Sequence, residues 1–307
     1  MTETAHLPVI DVSPALSDSN GPGRAVVTRS LHEALHETGF MYVVGHGLDP
    51  GLLARAFRSA NRFFARPLGE KAAVAYTDST ANFGFQGIEG ERLDPTNAPD
   101  LKEAFTMRNA LAASPDSGRW PDEEFRTDAL TLFAEGLSTA HTLLALLAES
   151  LQLPSGYFTP LHRGENVTLR FLHYPANLPF RSSTQLGAGE HTDYGSITLL
   201  FQQEVGGLEV RDRAGQWRFA PPLADAIVIN TGDLMERWTN GRLRSTVHRV
   251  RPIVGDQDRY SIALFVDPDS AVQVECIPSC IEPGKSPRYA AITAGEHLRQ
   301  KIEATHR

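Results

Sequence analysis

Two cysteines, Cys276 and Cys280, are all that this 307-residue chain contains. Two thiols four positions apart complete neither a disulfide framework nor a zinc set, and they suit a reducing compartment, so the expected location is the cytoplasm. No run of five like charges occurs. The balance is acidic, with 29 Lys and Arg against 37 Asp and Glu and a formal net charge of −8. A nucleic acid or an anionic membrane surface would call for a basic patch, so neither partner is expected. No apolar run approaches the roughly 18 to 20 residues that cross a bilayer, and the polar opening Met-Thr-Glu-Thr-Ala-His leads into no apolar signal segment. Internal repeats and low-complexity linkers are missing as well. What is present, 41% hydrophobic residues over 307 positions, is ordinary globular composition with enough chain for a substantial core. The expected partner is a small molecule, and composition leaves the oligomeric state open.

The hydrophobic period changes along the chain. Residues 8–12 and 40–44 read as short strands, with a helix over 24–37 between them on the spacing of Val27, Leu31 and Leu35. A second helix is expected over 50–64, ended by Pro67, and a polar, irregular stretch over 77–99. The longest helical pattern covers 122–151, where Phe125, Leu130, Phe133, Leu137, Leu144 and Leu147 suggest a spine buried behind a sheet. From 166 the pattern turns to period two with frequent turns, giving strands near 167–174, 188–192, 196–202, 207–211, 226–230, 244–250 and 259–266. Many short antiparallel strands at this spacing imply a sandwich or jelly roll. Thr293 reads as the N-cap of a last helix, with Glu296 as its capping-box partner. The expected fold is mixed α and β in one domain over 1–307. A jelly-roll core spans 166–275, a helical and mixed layer spans 1–150, and a C-terminal helix spans 293–305.

The chemistry concentrates in His191-Thr192-Asp193, His248 and Arg259-Tyr260-Ser261. A His-x-Asp pair alone says little, because a chain of this composition carries one by chance about as often as not. Its surroundings say more. His191 follows Gly187 and Gly189 and enters an apolar strand, His248 lies in a β-branched stretch, and Arg259 follows it by eleven residues across a turn. Two imidazoles and a carboxylate on one face of a metal leave the other positions open, the ligand set of non-haem Fe(II) oxygenases. Positions i and i+2 of a strand face the same way, so His191 and Asp193 should converge and Arg259 and Ser261 should lie side by side. A guanidinium fork can hold a carboxylate by two charge-assisted bonds, and the Ser261 hydroxyl can add another.

With these motifs the chain resembles the isopenicillin N synthase-like family of Fe(II)/2-oxoglutarate-dependent oxygenases. The match is carried by 169–175 (Leu-Arg-Phe-Leu-His-Tyr-Pro), the His191 segment, Gly206-Gly207-Leu208-Glu209-Val210, Asn230-Thr231-Gly232-Asp233, Trp238-Thr239-Asn240-Gly241, His248-Arg249-Val250 and Arg259-Tyr260-Ser261. It is looser through Leu7-Pro8-Val9-Ile10-Asp11, Gly39-Phe40-Met41-Tyr42-Val43 and Asp100-Leu101-Lys102-Glu103-Ala104-Phe105. The resemblance implies the jelly-roll core (a double-stranded β-helix), with Fe(II) on His191, Asp193 and His248. It implies 2-oxoglutarate anchored by Arg259, Ser261 and Tyr174, with O2 as oxidant. A small organic molecule, of the kind met in secondary metabolism, would be hydroxylated, desaturated or cyclised with release of succinate and CO2.

The sequence departs from the family pattern at Leu172 and His173, where many members carry Asn and Tyr. By alternation His173 faces away from the site and reads as structural, and His46 reads as a turn residue. Arg170, Leu200, Asn230, Val250 and Phe265 are the expected pocket residues on the strands. Phe83, Arg92 and Met107 are the expected ones on the 78–108 stretch, whose glycines suit a mobile lid. Two other readings use the same motifs. One is an oxidase with the same iron ligands but no 2-oxoglutarate, its Arg-x-Ser holding a substrate carboxylate. The other is a non-catalytic jelly-roll module that holds a metal structurally.

Overall fold

The computed structural model describes residues 7–18, 21–76, 81–110, 120–179, 182 and 184–305. The start of the expected irregular stretch, residues 77–80, lies outside them, as does the polar N-terminal hexapeptide. In chain order the strands are β1 (Val9–Asp11), β2 (Phe40–Val44), β3 (Phe83–Gln86), β4 (Glu103–Arg108), β5 (Thr168–Tyr174), β6 (Ala188–His191) and β7 (Ile197–Gln202). They continue with β8 (Leu208–Arg211), β9 (Trp217–Phe219), β10 (Ile227–Thr231), β11 (His248–Val250), β12 (Arg259–Val266), β13 (Gln273–Val274) and β14 (Ile292–Thr293). The helices are α1 (Ser13–Ser17), α2 (Pro22–Glu37), α3 (Pro50–Phe64), α4 (Leu68–Ala72), α5 (Glu123–Ser150), α6 (Asp233–Trp238) and α7 (Ala294–Thr305).

Eight strands form the major sheet in the order β1-β2-β10-β7-β12-β5-β4-β3, antiparallel except for β1 on β2, and β6-β11-β8-β9 form the minor sheet. The two are the sheets of a double-stranded β-helix, as expected. Alternation divides the side chains of the major sheet. On β5, Leu169 and Phe171 enter the main core with α2, α3 and α5, while Leu172 and Tyr174 join Val250 and Ala263 in a second apolar cluster. His191, His248 and Arg259 line the space on that second side.

Local signals explain the helices. Asp49 accepts from the backbone N–H groups of Gly51 and Leu52 at 2.8 and 3.1 Å, and Pro50 opens α3. Asp122 accepts from Phe125 at 2.8 Å at the start of α5, where Glu123 and Glu124 also favour the helix N-terminus. Thr293 caps α7 by accepting from Glu296 N–H at 3.3 Å, but the Glu296 carboxylate turns to Arg299 and Gln300 instead of closing a capping box. By length and composition α5 could cross a membrane, but half of its most apolar stretch is buried inside the protein. Its apolar face is the spine of the core.

Five strands were not expected: β3, β4, β9, β13 and β14. β3 and β4 pair with each other, and β4 pairs with β5, so the two strands that flank the 87–102 connection form the edge of the major sheet. Gly84 hides β3 in the sequence. It sits at φ +121°, and a side chain there would run into the backbone of Ala75 and Tyr76. Odd positions of this hairpin point into the core. Phe83 packs edge-on against Phe105 and Trp120, at 5.7 and 4.9 Å between ring centroids, and Met107 is fully buried. The expectation that Phe83 and Met107 line the pocket is therefore corrected: both are core residues. Arg92 is exposed and lies outside the cavity wall. Phe83→Ala should lower folding stability by about 3–5 kcal/mol, read as a lower denaturant midpoint; an unchanged midpoint would contradict this packing.

Candidate active site between the sheets

β6 and β11 are antiparallel neighbours, and their register sets His191 directly opposite His248. Each imidazole presents Nδ1 to a backbone carbonyl, His191 to Gly189 at 2.7 Å and His248 to Thr246 at 3.1 Å. A carbonyl only accepts, so each Nδ1 carries the proton and each Nε2 keeps a lone pair. Both Nε2 atoms face the Asp193 Oδ1 carboxylate oxygen, at 3.9 Å from His191 and 3.6 Å from His248. Phe40 packs edge-on against the His248 ring.

The convergence of His191 and Asp193 has a different cause from the one expected. β6 ends at His191, and Asp193 lies in the turn beyond it. Its carboxylate is aimed by the major sheet, where Thr198 and Asn230 donate to Oδ2 at 2.5 and 2.7 Å. Burial alone would raise the Asp193 pKa, but the two imidazoles and these donors outweigh it and hold the carboxyl below its usual range. Burial, followed by the neighbouring His248, pushes His191 down to about 3, so it is a neutral base. Three donor side chains with ligand atoms within 4.8 Å of one another could hold a metal ion. Mixed imidazole and carboxylate donors suit Fe(II), and three ligands leave positions open.

The second half of the site lies on β12, β5 and β7. Arg259 pairs with Tyr174 across β12–β5 and Ser261 with Gln202 across β12–β7. The guanidinium is 1% exposed; it donates to Ser261 Oγ at 3.2 Å and Gln202 Oε1 at 3.1 Å, and lies 4.7 Å over the Tyr174 ring. Its Nε has no partner, and among the described residues no carboxylate pairs with it. An unneutralised cation buried this deeply fits a chamber meant for an anion.

Comparison with known proteins agrees with this geometry. Residues 164–268 match the 2OG-Fe(II) oxygenase superfamily, and residues 7–124 match the N-terminal region described as "non-haem dioxygenase in morphine synthesis N-terminal". The 2-oxoglutarate-Fe(II) type oxidoreductase hxnY of Emericella nidulans is 34% identical over 95% of this chain and 88% of its own length. The chain belongs to the 2OG-Fe(II) oxygenase superfamily. Clavatol oxidase claD of Penicillium crustosum is 32% identical over 98% of this chain and 97% of its own. The crystal structure of a full-length Neurospora crassa protein in complex with alpha-KG and thymine superposes with a TM-score of 0.87 at 29% identity, covering 99% of each chain. This oxygenase is thus an Fe(II)- and 2-oxoglutarate-dependent dioxygenase, which sets aside the binding-module and 2-oxoglutarate-free readings.

The remaining expected pocket residues of the oxygenase do meet at the site. Leu200, Asn230, Val250, Phe265 and Arg170 line the chamber that holds the triad and Arg259. Arg170 also answers to a structural carboxylate, Glu91, at 3.1 Å. His173 faces away, as alternation requires, bridging Glu103 at 2.7 Å and Asp258 at 2.8 Å and stacking on Tyr260. His46 is a turn residue whose Nδ1 accepts from Leu48 N–H.

Other side chains at the site escaped sequence reading. Thr198 and Gln202 flank Leu200 at i±2 on β7, so alternation from Leu200 would have found both. Lys102 lines the chamber and pairs with Asp100 and with Glu91, at 3.0 Å from the latter. A cavity of about 130 Å³ opens beside His191 and Asp193, walled by Asn82, Arg108 and Asp267 and closed by Leu298 and Ile302 of α7. Asn82 and Arg108 are the immediate neighbours of Phe83 and Met107, so the expected pocket positions were one residue out of phase. Burial pushes Asp267 up to about 7, with the nearby Asp193 adding to the effect and Arg108 opposing it.

Proposed function

We propose that His191, Asp193 and His248 hold the iron of this dioxygenase, that Arg259, Ser261 and Tyr174 hold the distal carboxylate of 2-oxoglutarate, and that a small organic molecule is oxidised in the cavity beside them. The observation that carries this reading is the buried Arg259 guanidinium, which has no counter-ion among the described residues, in the chamber of the three-donor set. With iron and co-substrate bound, the site would supply O2-driven oxidation of an unactivated C–H bond, with release of succinate and CO2. The protein's own part is to position and to exclude water. Thr198 and Asn230 fix the Asp193 carboxylate, and the Gly189 and Thr246 carbonyls keep both Nε2 atoms free. Leu200, Val250 and Phe265 form an apolar wall that keeps water from a reactive centre.

The thymine complex of the Neurospora crassa protein supports a small-molecule substrate, and the acidic charge balance supports the absence of a nucleic-acid or membrane partner. Two buried free thiols support a cytoplasmic setting for one oxygenase domain spanning the chain. Purified protein given Fe(II), 2-oxoglutarate and a candidate substrate should release one succinate for each substrate oxidised. Substrate oxidation without 2-oxoglutarate consumption would overturn the proposal.

A further inference from the structure

The charged groups around the cavity can be accounted for one by one. Arg170 is matched by Glu91 at 3.1 Å, Glu91 also meets Lys102 at 3.0 Å, and Lys102 meets Asp100. His191 and Asp193 belong to the triad. Two groups remain. Among the described residues, the side chains of Arg108 and Asp267 have no hydrogen-bond or ion-pair partner, and no ion pair joins them to each other, although both line the cavity. Arg108 Nε is buried and unpartnered.

Their placement is not incidental. Arg108 ends β4, at the position opposite Thr168 of β5, and Asp267 follows the last residue of β12. The Asp267 carboxylate lies against Gly195, where any side chain would overlap it, so the turn after the Asp193 ligand has room for this acid only because residue 195 is glycine. An acid and a guanidinium that line one cavity beside a reactive centre yet make no bond are costly to the free protein unless a ligand satisfies them.

Resting on the function proposed above, we infer that Arg108 and Asp267 are the substrate-recognition pair of this enzyme, and that the substrate presents an oxygen acceptor to Arg108 and an N–H donor to Asp267. That pairing of groups is shared by amino acids and by cyclic amides. The carbon skeleton then lies against Phe265, Leu298 and Ile302, with its C–H bonds toward His191 and Asp193.

The test is substrate-stimulated 2-oxoglutarate turnover over a defined panel of L-amino acids, five- and six-membered lactams and cyclic imides, the N-methylated form of each, and the matching carboxylic acids and hydrocarbons without nitrogen. Stimulation should require both the oxygen acceptor and the N–H. Stimulation by amino acids would assign a zwitterionic substrate, and stimulation by lactams or imides a neutral one. For the best stimulator, Arg108→Met and Asp267→Asn should each raise KM by about 30-fold or more, and Arg108→Lys should recover part of the loss. Anaerobic charge-transfer absorbance of Fe(II) with 2-oxoglutarate should persist in all three variants, which separates failure of this pair from failure of the iron and co-substrate assignment. The inference is overturned if no panel member with both groups stimulates, if N-methylated or nitrogen-free compounds do as well, or if neither KM moves.

Discussion

His191→Ala, Asp193→Ala and His248→Ala should each abolish turnover, while the parent protein binds one Fe(II) per chain. The three donors lie within 4.8 Å of one another and no fourth protein ligand joins them among the described residues, so losing one leaves only two attachments. The two histidine variants should stay folded, because removing a buried imidazole also removes a desolvated polar group, whereas Asp193→Ala leaves the Thr198 and Asn230 donors unpaired and should cost some stability. Asn230→Ala makes a graded control. It leaves all three ligands but removes one of the two bonds to Asp193 Oδ2, and loss of such a supporting bond typically lowers metal affinity by about 10- to 100-fold. Iron titration and turnover on the four variants would check the order. Full activity in any of the three alanine variants would remove that residue from the ligand set.

Arg259→Gln should separate two properties that usually move together. The variant keeps the iron ligands, but its apparent KM for 2-oxoglutarate should rise by one to three orders of magnitude, on the scale of about 2–5 kcal/mol for a lost buried charge pair. In the free protein the same guanidinium is desolvated with no counter-ion among the described residues, and burial pushes its pKa down. Replacing it should therefore leave the co-substrate-free protein at least as stable as the parent, a stability cost accepted for function. Thermal melts with and without 2-oxoglutarate would show both effects, with the parent gaining more from the ligand than the variant does. An unchanged KM would remove Arg259 as the anchor, and a large drop in the ligand-free Tm would mean that its bonds to Ser261 and Gln202 are what matter.

The sequence carried the three candidate iron ligands and Arg259 because each pairs an uncommon residue with a regular strand context. The long helix was legible for a similar reason, its apolar period being framed by Asp122 at the start and Leu151 at the end. The substrate side was not legible, since its residues come from separate strands and meet only through pairing. Arg108 reaches the cavity because β4 lies beside β5, and Asp267 because β12 lies on β5's other side. Nothing local marks either one. The error at Phe83 and Met107 had a more specific origin. Reading the 78–108 stretch as a mobile lid discarded its alternation, and without alternation a large apolar side chain looks like a pocket wall when it is core. Asp193 shows the opposite case, where the right residue was found for an incomplete reason. Its aim depends on Thr198 and Asn230, which belong to strands paired with each other.

β5 is covered on both faces, by the main core on one and by the chamber on the other, and its residues are assigned to the two by parity. A single-residue insertion or deletion within Thr168–Tyr174 would send Leu169 and Phe171 toward the iron side and Arg170 and Tyr174 into the core. Folding and chemistry would fail in the same step, with no intermediate in which one survives. The 87–102 connection carries no such constraint, yet it brings Glu91 and Leu93 to the cavity. Length changes in lineages of this oxygenase should therefore accumulate in that connection and be missing from β5, so substrate preference can drift by indel while the oxidation machinery evolves only by substitution.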